Sequence, residues 1–581
     1  MATEVQLRQR EVPGSDFSDD VHPLLRRIYA ARGVRHAAEL RRGLEGLEPP
    51  TALGGLDAAV MLLAAARDRG DRVLVIGDFD ADGATSCAVA CLGLRELGVA
   101  DVDYLVPNRF EYGYGLTPEI VAEALTRGPD LIVTVDNGVA SVAGVAKARA
   151  AGVQVLVTDH HLPGPELPQA DAIVNPNLDG DSFPSKHLAG VGVIFYVLLA
   201  LRAHLRSKGA FAAPAEPRGP NLARLLDLVA LGTVADVVPL DANNRILVHQ
   251  GLQRMRAGHM CAGLAALLEV AGRNAETVTA ADLAFGVGPR LNAAGRLDDI
   301  SVGIECLMAP DRETALPKAR ELNDLNQARR EIETEMRDDA QRVIAAMPIG
   351  DEPPPALCLH EHDWHPGVVG IVAARIKDQV NRPVIAFARD GDEHLRGSAR
   401  SIAGVHLRDA IAAVDARSPG LIARFGGHAM AAGLTIPTVN LERFRLAFVQ
   451  EIAVRLAPEI VERVLWTDGE IPAERLTLEL AELIRDAGPW GQGFPEPLFE
   501  GEFALIEQRI VGGRHLKLKV EAPIPPGRSG RSGRRAIDAI VFNFGERVLP
   551  ADRARLAYRL DVNHYRGLRT LQLMVEHVEA L

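Results

Sequence analysis

The chain has no 18-residue apolar run of the kind that crosses a bilayer, and its polar start, MATEVQLRQREV, lacks a hydrophobic signal core. A cytoplasmic protein with no membrane partner is therefore expected. Cysteine is scarce: Cys87, Cys91, Cys261, Cys306 and Cys358 include no CxxC pair, which argues against a zinc or disulfide framework. Cys87 and Cys91 fall in an apolar helical stretch, where thiols serve as small hydrophobes. GxxxxGK[ST] is also missing, so nothing points to ATP hydrolysis or to unwinding of duplexes without help. Net positive charge is missing too. At −13 the chain is a poor candidate for broad, nonspecific nucleic-acid binding, unless acids gather at one site and basic residues line a channel. Local basic runs exist in Arg514-His-Leu-Lys-Leu-Lys519 and in the loop carrying Arg528, Arg531, Arg534 and Arg535; each is read equally well as a solvated face.

What is present is a chain of 581 residues, 47% hydrophobic and 24% charged, enough for three or four globular domains of about 150 residues each. Short apolar runs at Val73–Gly77, Val102–Val106, Leu131–Val135 and Val153–Thr158 alternate with helical stretches near Ala84–Leu97, Pro118–Thr126 and Val142–Ala150. This alternation predicts α/β structure with a parallel sheet, all strand C-termini lying on one edge. A long charged helix is predicted from about Pro317 to Met347, followed by the breaker GDEPPP. A second, smaller α/β unit follows, with strands at Ala356–Leu359 and Val384–Ala388 and helices at Val368–Val380 and Leu407–Val414. Beyond Trp466, five short β-rich runs suggest an OB-like barrel, a common single-strand platform. The expected division is 1–315, a catalytic domain with an N-terminal extension; 316–349, the connecting helix; 350–460, the second α/β domain; and 461–581, the barrel.

The acids of the first domain are not scattered. Val73–Gly77 ends in Asp78-Phe-Asp80-Ala-Asp82, Leu131–Val135 in Asp136-Asn-Gly, and Val153–Thr158 in Asp159-His160-His161. One aspartate at a strand end is an ordinary turn residue. Three tips of one sheet edge bearing carboxylates and two histidines point instead to a site, since open α/β sheets bind ligands at that edge. So many carboxylates need cations, and carboxylate with imidazole suits Mn²⁺ or Mg²⁺. Two ions about 3.5–4 Å apart would suit phosphodiester hydrolysis, although spacing alone leaves one ion open. Asp236, in the apolar Leu231–Leu240 stretch, either caps a buried turn or is a further ligand.

DFDADG at Asp78, VDNG at Val135, TDHH at Thr158 and GTVADVVPL at Gly232 resemble the ordered motifs of the DHH phosphoesterase superfamily. GPRLNAAGRLDD at Gly288, GSARS at Gly397 and FGGHAMAAG at Phe425 resemble its RecJ branch, the last marking an accessory DHHA1 domain; the likeness spans nearly the whole chain. The resemblance implies that Asp80, Asp82, Asp136, His160 and Asp236 hold the metals, with Asp136 bridging, Asp78 behind them and His161 offsetting phosphate charge. It implies a single-stranded-DNA-specific 5′→3′ exonuclease that releases 5′-mononucleotides, with DNA running between the DHH and DHHA1 domains. Roles in recombination and repair, cooperation with a helicase and a single-strand DNA-binding protein, and a monomeric state are implied as well. Arg109, Arg290, Ser398 and Arg400 are expected to grip phosphates, Phe110 and Tyr114 to stack on bases, and His428 to approach a phosphate at its glycine turn. The rivals are a DHH phosphodiesterase of short oligonucleotides or cyclic dinucleotides, and a non-catalytic DHH-fold scaffold. Two signals are set aside: the His360-Glu-His362-Asp-Trp-His365 cluster, and the glycine pair Gly190-Val-Gly192, too weak for a dinucleotide fingerprint.

Overall fold

Apolar runs that end in aspartate and glycine fold as one fully parallel sheet. In space the strands run Asp101–Leu105, Arg72–Gly77, Leu131–Val135, Gln154–Thr158 and Ala172–Val174. The central strands are buried on both faces, so their sequences show no alternation. Helices Ala81–Glu96, Pro118–Thr126 and Val142–Ala150 make the crossovers. After Arg72–Gly77 the chain steps one way to Asp101–Leu105, then returns to the other side of Arg72–Gly77 as Leu131–Val135. This reversal of strand order falls between Arg72–Gly77 and Leu131–Val135, the place where open α/β sheets take their ligands.

This computed structural model describes residues 5–106, 115–211, 219–346, 354–456, 463–522, 536–545, 547–565 and 567–581. They form two compact units. The larger comprises Arg10–Asn326 and Asp468–Leu581; the smaller comprises the described residues of 1–9 with Gln327–Thr467.

In the larger unit, the apolar helices Gly190–Ser207 and Leu226–Ala235 pack into the core beside the sheet, and the more polar Ala242–Arg256 packs on the second of them. Gly190–Ser207 is long and apolar enough to cross a membrane by composition, but its apolar side chains are spent in this core. Strands Phe499–Val511, His515–Glu521, Ala536–Val541, Leu568–Ala580 and Arg553–Tyr565 close a barrel in that spatial order, antiparallel except where Ala536–Val541 meets Leu568–Ala580. This is the expected OB-like barrel. Its inward residues, among them Phe499, Leu518 and Tyr558, belong to the same apolar cluster as helices Gly190–Ser207 and Leu226–Ala235. A buried bidentate pair, Arg32 Nη1–Asp468 Oδ1 at 2.8 Å and Nη2–Oδ2 at 3.0 Å, ties the N-terminal region to the start of the barrel segment.

In the smaller unit a mixed sheet orders Arg424–Gly427, Ala431–Pro437, His394–Arg400, Val384–Asp390 and Leu357–His360, covered by helices Val369–Val380, Leu407–Arg417 and Leu441–Arg455. Separately, Val5–Gln9 pairs in parallel with Arg463–Thr467. The long helix spans Arg312–Ala346 and starts before the expected Pro317. The Asp311 carboxylate accepts the Thr314 N–H at 2.9 Å and so caps the helix one turn earlier, leaving Pro317 inside it.

Candidate metal centre

Each tip delivers its acid by a different local device. Strand Arg72–Gly77 runs into Asp78 and then Asp80, which caps helix Ala81–Glu96 by accepting the Gly83 N–H at 3.0 Å. Asp82 lies inside the first turn, and its carboxylate is held by a second helix. Gly190 and Val191, the first residues of Gly190–Ser207, donate their N–H groups to its two oxygens at 2.6 and 3.1 Å. Two helix N-termini thus place positive partial charge against this acid cluster.

Asp136 ends Leu131–Val135 at φ 62°, a left-handed conformation seldom used by non-glycine residues. Its backbone N–H donates to the Thr158 carbonyl at 3.0 Å. The Asn137 amide laces the tips together through Ile76 O and Val135 O, at 3.0 and 2.9 Å. At the next tip, Asp159 accepts the His161 ring Nδ1–H at 2.8 Å and the Val139 N–H at 2.9 Å. The backbones of His160 and His161 are pinned by Asn177 and Asn175, whose amides donate to their carbonyls at 2.6 and 2.8 Å. Asp236 sits just past helix Leu226–Ala235, and the following Val237 takes φ 63°.

These devices converge. His160 Nε2 lies 3.1 Å from Asp136 Oδ1 and 3.6 Å from Asp236 Oδ2. Three overlapping groups, Asp78–Asp80–Asp136, Asp136–His160–His161 and Asp82–His160–Asp236, each bring one potential ligand atom per residue within 4.8 Å of the others. Among the described residues neither Asp136 Oδ1 nor His160 Nε2 has a hydrogen-bond partner, though both are buried. Burial, aided by neighbouring His161, pulls the His160 pKa down to about 4, so this ring is neutral and brings no positive charge to the carboxylates around it. Buried carboxylates without a compensating charge are unfavourable unless a cation lies among them. The donor set, carboxylates plus neutral imidazole, fits a hard to borderline divalent ion. Asp136 and Asp82 are pushed well up, first by burial and then by neighbouring acids, and Asp236 rises to about 7 for the same reasons. Burial works against charge on His161, yet the hydrogen bond and charge of Asp159 carry its pKa to about 9, so it is an imidazolium at neutral pH.

Family models match three stretches of the chain. The DHH family, N-terminal domain, matches residues 72–233, the DHHA1 domain 349–454 and the RecJ OB domain 467–577. The chain is 53% identical over 585 residues to the single-stranded-DNA-specific exonuclease RecJ of Dickeya dadantii (strain 3937), covering 100% of each. The chain belongs to the RecJ family. To RecJ of Escherichia coli (strain K12) it is 51% identical over 586 residues, again with 100% of each covered. The crystal structure of RecJ in complex with Mn²⁺ from Thermus thermophilus superposes with a TM-score of 0.79 at 31% identity, covering 97% of this chain and 76% of that one. A RecJ complex with Mg²⁺ from the same organism gives 0.73 at 29% identity, covering 97% and 75%.

For this RecJ-family chain the remaining expected contacts divide. Arg290, expected to grip a phosphate, is engaged within the protein. It lies buried inside helix Gly288–Leu297, where its guanidinium donates to Asn323 Oδ1 at 2.9 Å, to Val270 O at 3.4 Å and to Gly286 O, so it braces the backbone. In the smaller unit, Arg400 Nη1 donates to Ser398 Oγ at 3.1 Å, beside Gly370 in the first turn of Val369–Val380. Burial lowers the Arg400 pKa, and among the described residues no carboxylate pairs with it. His428 is exposed on a turn closed by its own N–H to Ala431 O at 2.8 Å. Arg109, Phe110, Tyr114 and the loop carrying Arg528, Arg531, Arg534 and Arg535 lie outside the described residues.

Several residues that shape the centre were not anticipated. Gly190, set aside as a weak glycine, both donates to Asp82 and leaves room for Asp136: a Cβ there would lie 2.5 Å from the Asp136 Cβ. Asn292 accepts the Ala81 N–H at 2.8 Å and fixes the turn between Asp80 and Asp82. Only the glycine-rich spacing of those stretches hinted at close approach.

Proposed function

We propose that this protein is a metal-dependent, single-stranded-DNA-specific exonuclease that works from the 5′ end and releases 5′-mononucleotides. The observation that carries the reading is the buried, unpartnered pair of Asp136 Oδ1 and His160 Nε2 at 3.1 Å, ringed by further carboxylates. Asp80, Asp82, Asp136, His160 and Asp236 would hold two Mn²⁺ or Mg²⁺ ions, with Asp136 shared between them and Asp78 supporting its neighbours. Such ions supply a low-pKa water and offset charge on phosphoryl oxygens. The protein's own part is positional. The helix N-termini fix Asp80 and Asp82 before any ligand arrives, and Asp159 keeps His161 charged and oriented toward non-bridging oxygens of the scissile phosphate. Arg400 and Ser398 at a helix N-terminus suit a terminal phosphate, and His428 is a further candidate contact.

We assign catalysis to the parallel-sheet domain, accessory substrate binding to the mixed-sheet domain and strand binding to the barrel. A role in recombination and repair, work beside a helicase and a single-strand DNA-binding protein, and a cytoplasmic location follow from the substrate. The decisive experiment gives Mn²⁺-loaded protein single-stranded DNA labelled at one end or the other. Early mononucleotide release from the 5′ label, with blunt duplex spared and Asp136→Ala silent, is the expected result. Release from the 3′ label first would overturn the polarity, and activity surviving in Asp136→Ala would overturn the site.

A further inference from the structure

Three large apolar side chains stand exposed on segments that carry residues of the metal centre or pack against one that does. Leu162 directly follows His160-His161 and is 61% exposed; Val237 directly follows Asp236 and is 61% exposed. Phe285 is 72% exposed on a wide helical turn, Leu283–Val287, that leads into helix Gly288–Leu297. That helix leans on the site at two points. A Cβ on Gly288 would lie 3.2 Å from the Ala235 Cβ, next to Asp236, and Asn292 holds the Ala81 N–H between Asp80 and Asp82. The turn bearing Phe285 also packs against helix Leu226–Ala235, which ends at Asp236.

A single exposed leucine means nothing. Three large apolar residues, each adjoining a ligand-bearing segment, form a pattern, and two carry structural costs. Val237 is β-branched at φ 63°, immediately past a helix end where glycine or asparagine would sit without strain. Phe285 rides a turn of i→i−5 type, closed by the Gly288 N–H to Leu283 O, and such turns recur at functional sites. The turn is braced from behind by Arg290, which donates to the Gly286 carbonyl, so the ring is presented on a fixed support.

Resting on the nuclease reading, we infer that Phe285, Val237 and Leu162 form an apolar rim that grips nucleobases of the unpaired strand next to the scissile phosphate. The carboxylates and imidazoles are taken up with metal and phosphate, which leaves the bases to other side chains. An aromatic face flanked by two aliphatic groups does so without regard to sequence, because every base has a flat apolar face. In a duplex those faces are hidden in the stack. Selection for single strands therefore begins at the catalytic pocket itself.

The test uses the full-length protein with Mn²⁺ and 5′-phosphorylated single-stranded oligonucleotides, either intact or with an abasic residue at the first, second or third position. The parent enzyme should lose about tenfold in kcat/KM when the abasic residue occupies the gripped position, the size of one lost base–aromatic contact. Phe285→Ala should lose about tenfold on intact DNA yet be nearly indifferent to that abasic residue, and Phe285→Trp should regain the sensitivity. Leu162→Ala and Val237→Gly should show the same pattern more weakly; at Val237 glycine also relieves the backbone, so poor folding is not a confounding outcome. If Phe285→Ala remains as sensitive to the abasic residue as its parent, whatever its overall rate, the rim is not a base contact. If the parent cleaves none of the oligonucleotides, the nuclease reading falls and takes the rim with it.

Discussion

Replacing Asp136 by asparagine should make the metal-free protein more stable while removing its response to metal. Asparagine is the substitution of choice, because it tolerates the left-handed backbone at φ 62° and keeps the shape that Gly190 closely accommodates. Asp136 shares its pocket with Asp78 and Asp80, ligand atoms within 4.8 Å. Two ionised carboxylates at that separation repel by about 3.5 kcal/mol at an effective dielectric of about 20. The cluster escapes part of this by taking up protons, as the rise of Asp236 from 3.8 to about 7 shows. A gain of about 2 kcal/mol in chelator is therefore expected for Asp136→Asn at neutral pH. With Mn²⁺ at about 100 times its Kd the parent should gain about 2.7 kcal/mol, whereas a variant with about 100-fold weaker binding gains only about 0.4. Melting curves in chelator and in Mn²⁺ should cross: variant above parent in the first, below it in the second. A variant that melts below its parent in chelator, or that rises equally with Mn²⁺, would refute the claim that these acids are held together for a cation.

Other expectations follow from the same geometry. In chelator, Asp236 has a folded pKa of about 7 against 3.8 unfolded, so the folded state binds more protons between those values. Its stabilising contribution is full below 3.8 and lost as pH rises through about 7; the parent's stability should fall over that window more steeply than that of Asp236→Asn. Gly190→Ala should drive a Cβ to within 2.6 Å of Asp136 Oδ1, costing about 1–3 kcal/mol of stability and most of the Mn²⁺ affinity, read by melting and titration calorimetry. Asp159→Asn should lower kcat by about 10–100-fold with Mn²⁺ binding largely kept, as measured by single-turnover cleavage. Arg400→Gln should narrow the preference for 5′-phosphorylated over 5′-hydroxyl strands by about tenfold while leaving the melting temperature near the parent's.

Much of the larger unit was legible because buried parallel strands are unbroken apolar runs, and aspartates at their ends mark the ligand edge. Helices Pro118–Thr126 and Val142–Ala150 fall where their patterns place them. Ala172–Val174 was missed because three residues carry no period. Val5–Gln9 was missed because it is a partly exposed strand whose partner, Arg463–Thr467, lies far along the chain. Strands His394–Arg400 and Ala431–Pro437 were seen only as motifs, since their small residues mute the alternation. At the site, the clustering of aspartate and histidine could be read directly. The parts played by Gly190, Asn292 and Asn177 could not, because they depend on which backbone approaches which in space. Arg290, expected to grip a phosphate, opens a buried helix and donates to Asn323 and Gly286, a placement that the Gly-Pro-Arg string does not reveal.

Every carboxylate and imidazole of the centre is carried by the end of a strand or helix whose body lies within the larger unit, and none by a long connecting loop. Warming such an arrangement cannot loosen the reactive groups ahead of the scaffold. Turnover should keep climbing with temperature until cooperative melting begins, then vanish over the same few degrees, leaving no interval in which an intact fold has gone quiet.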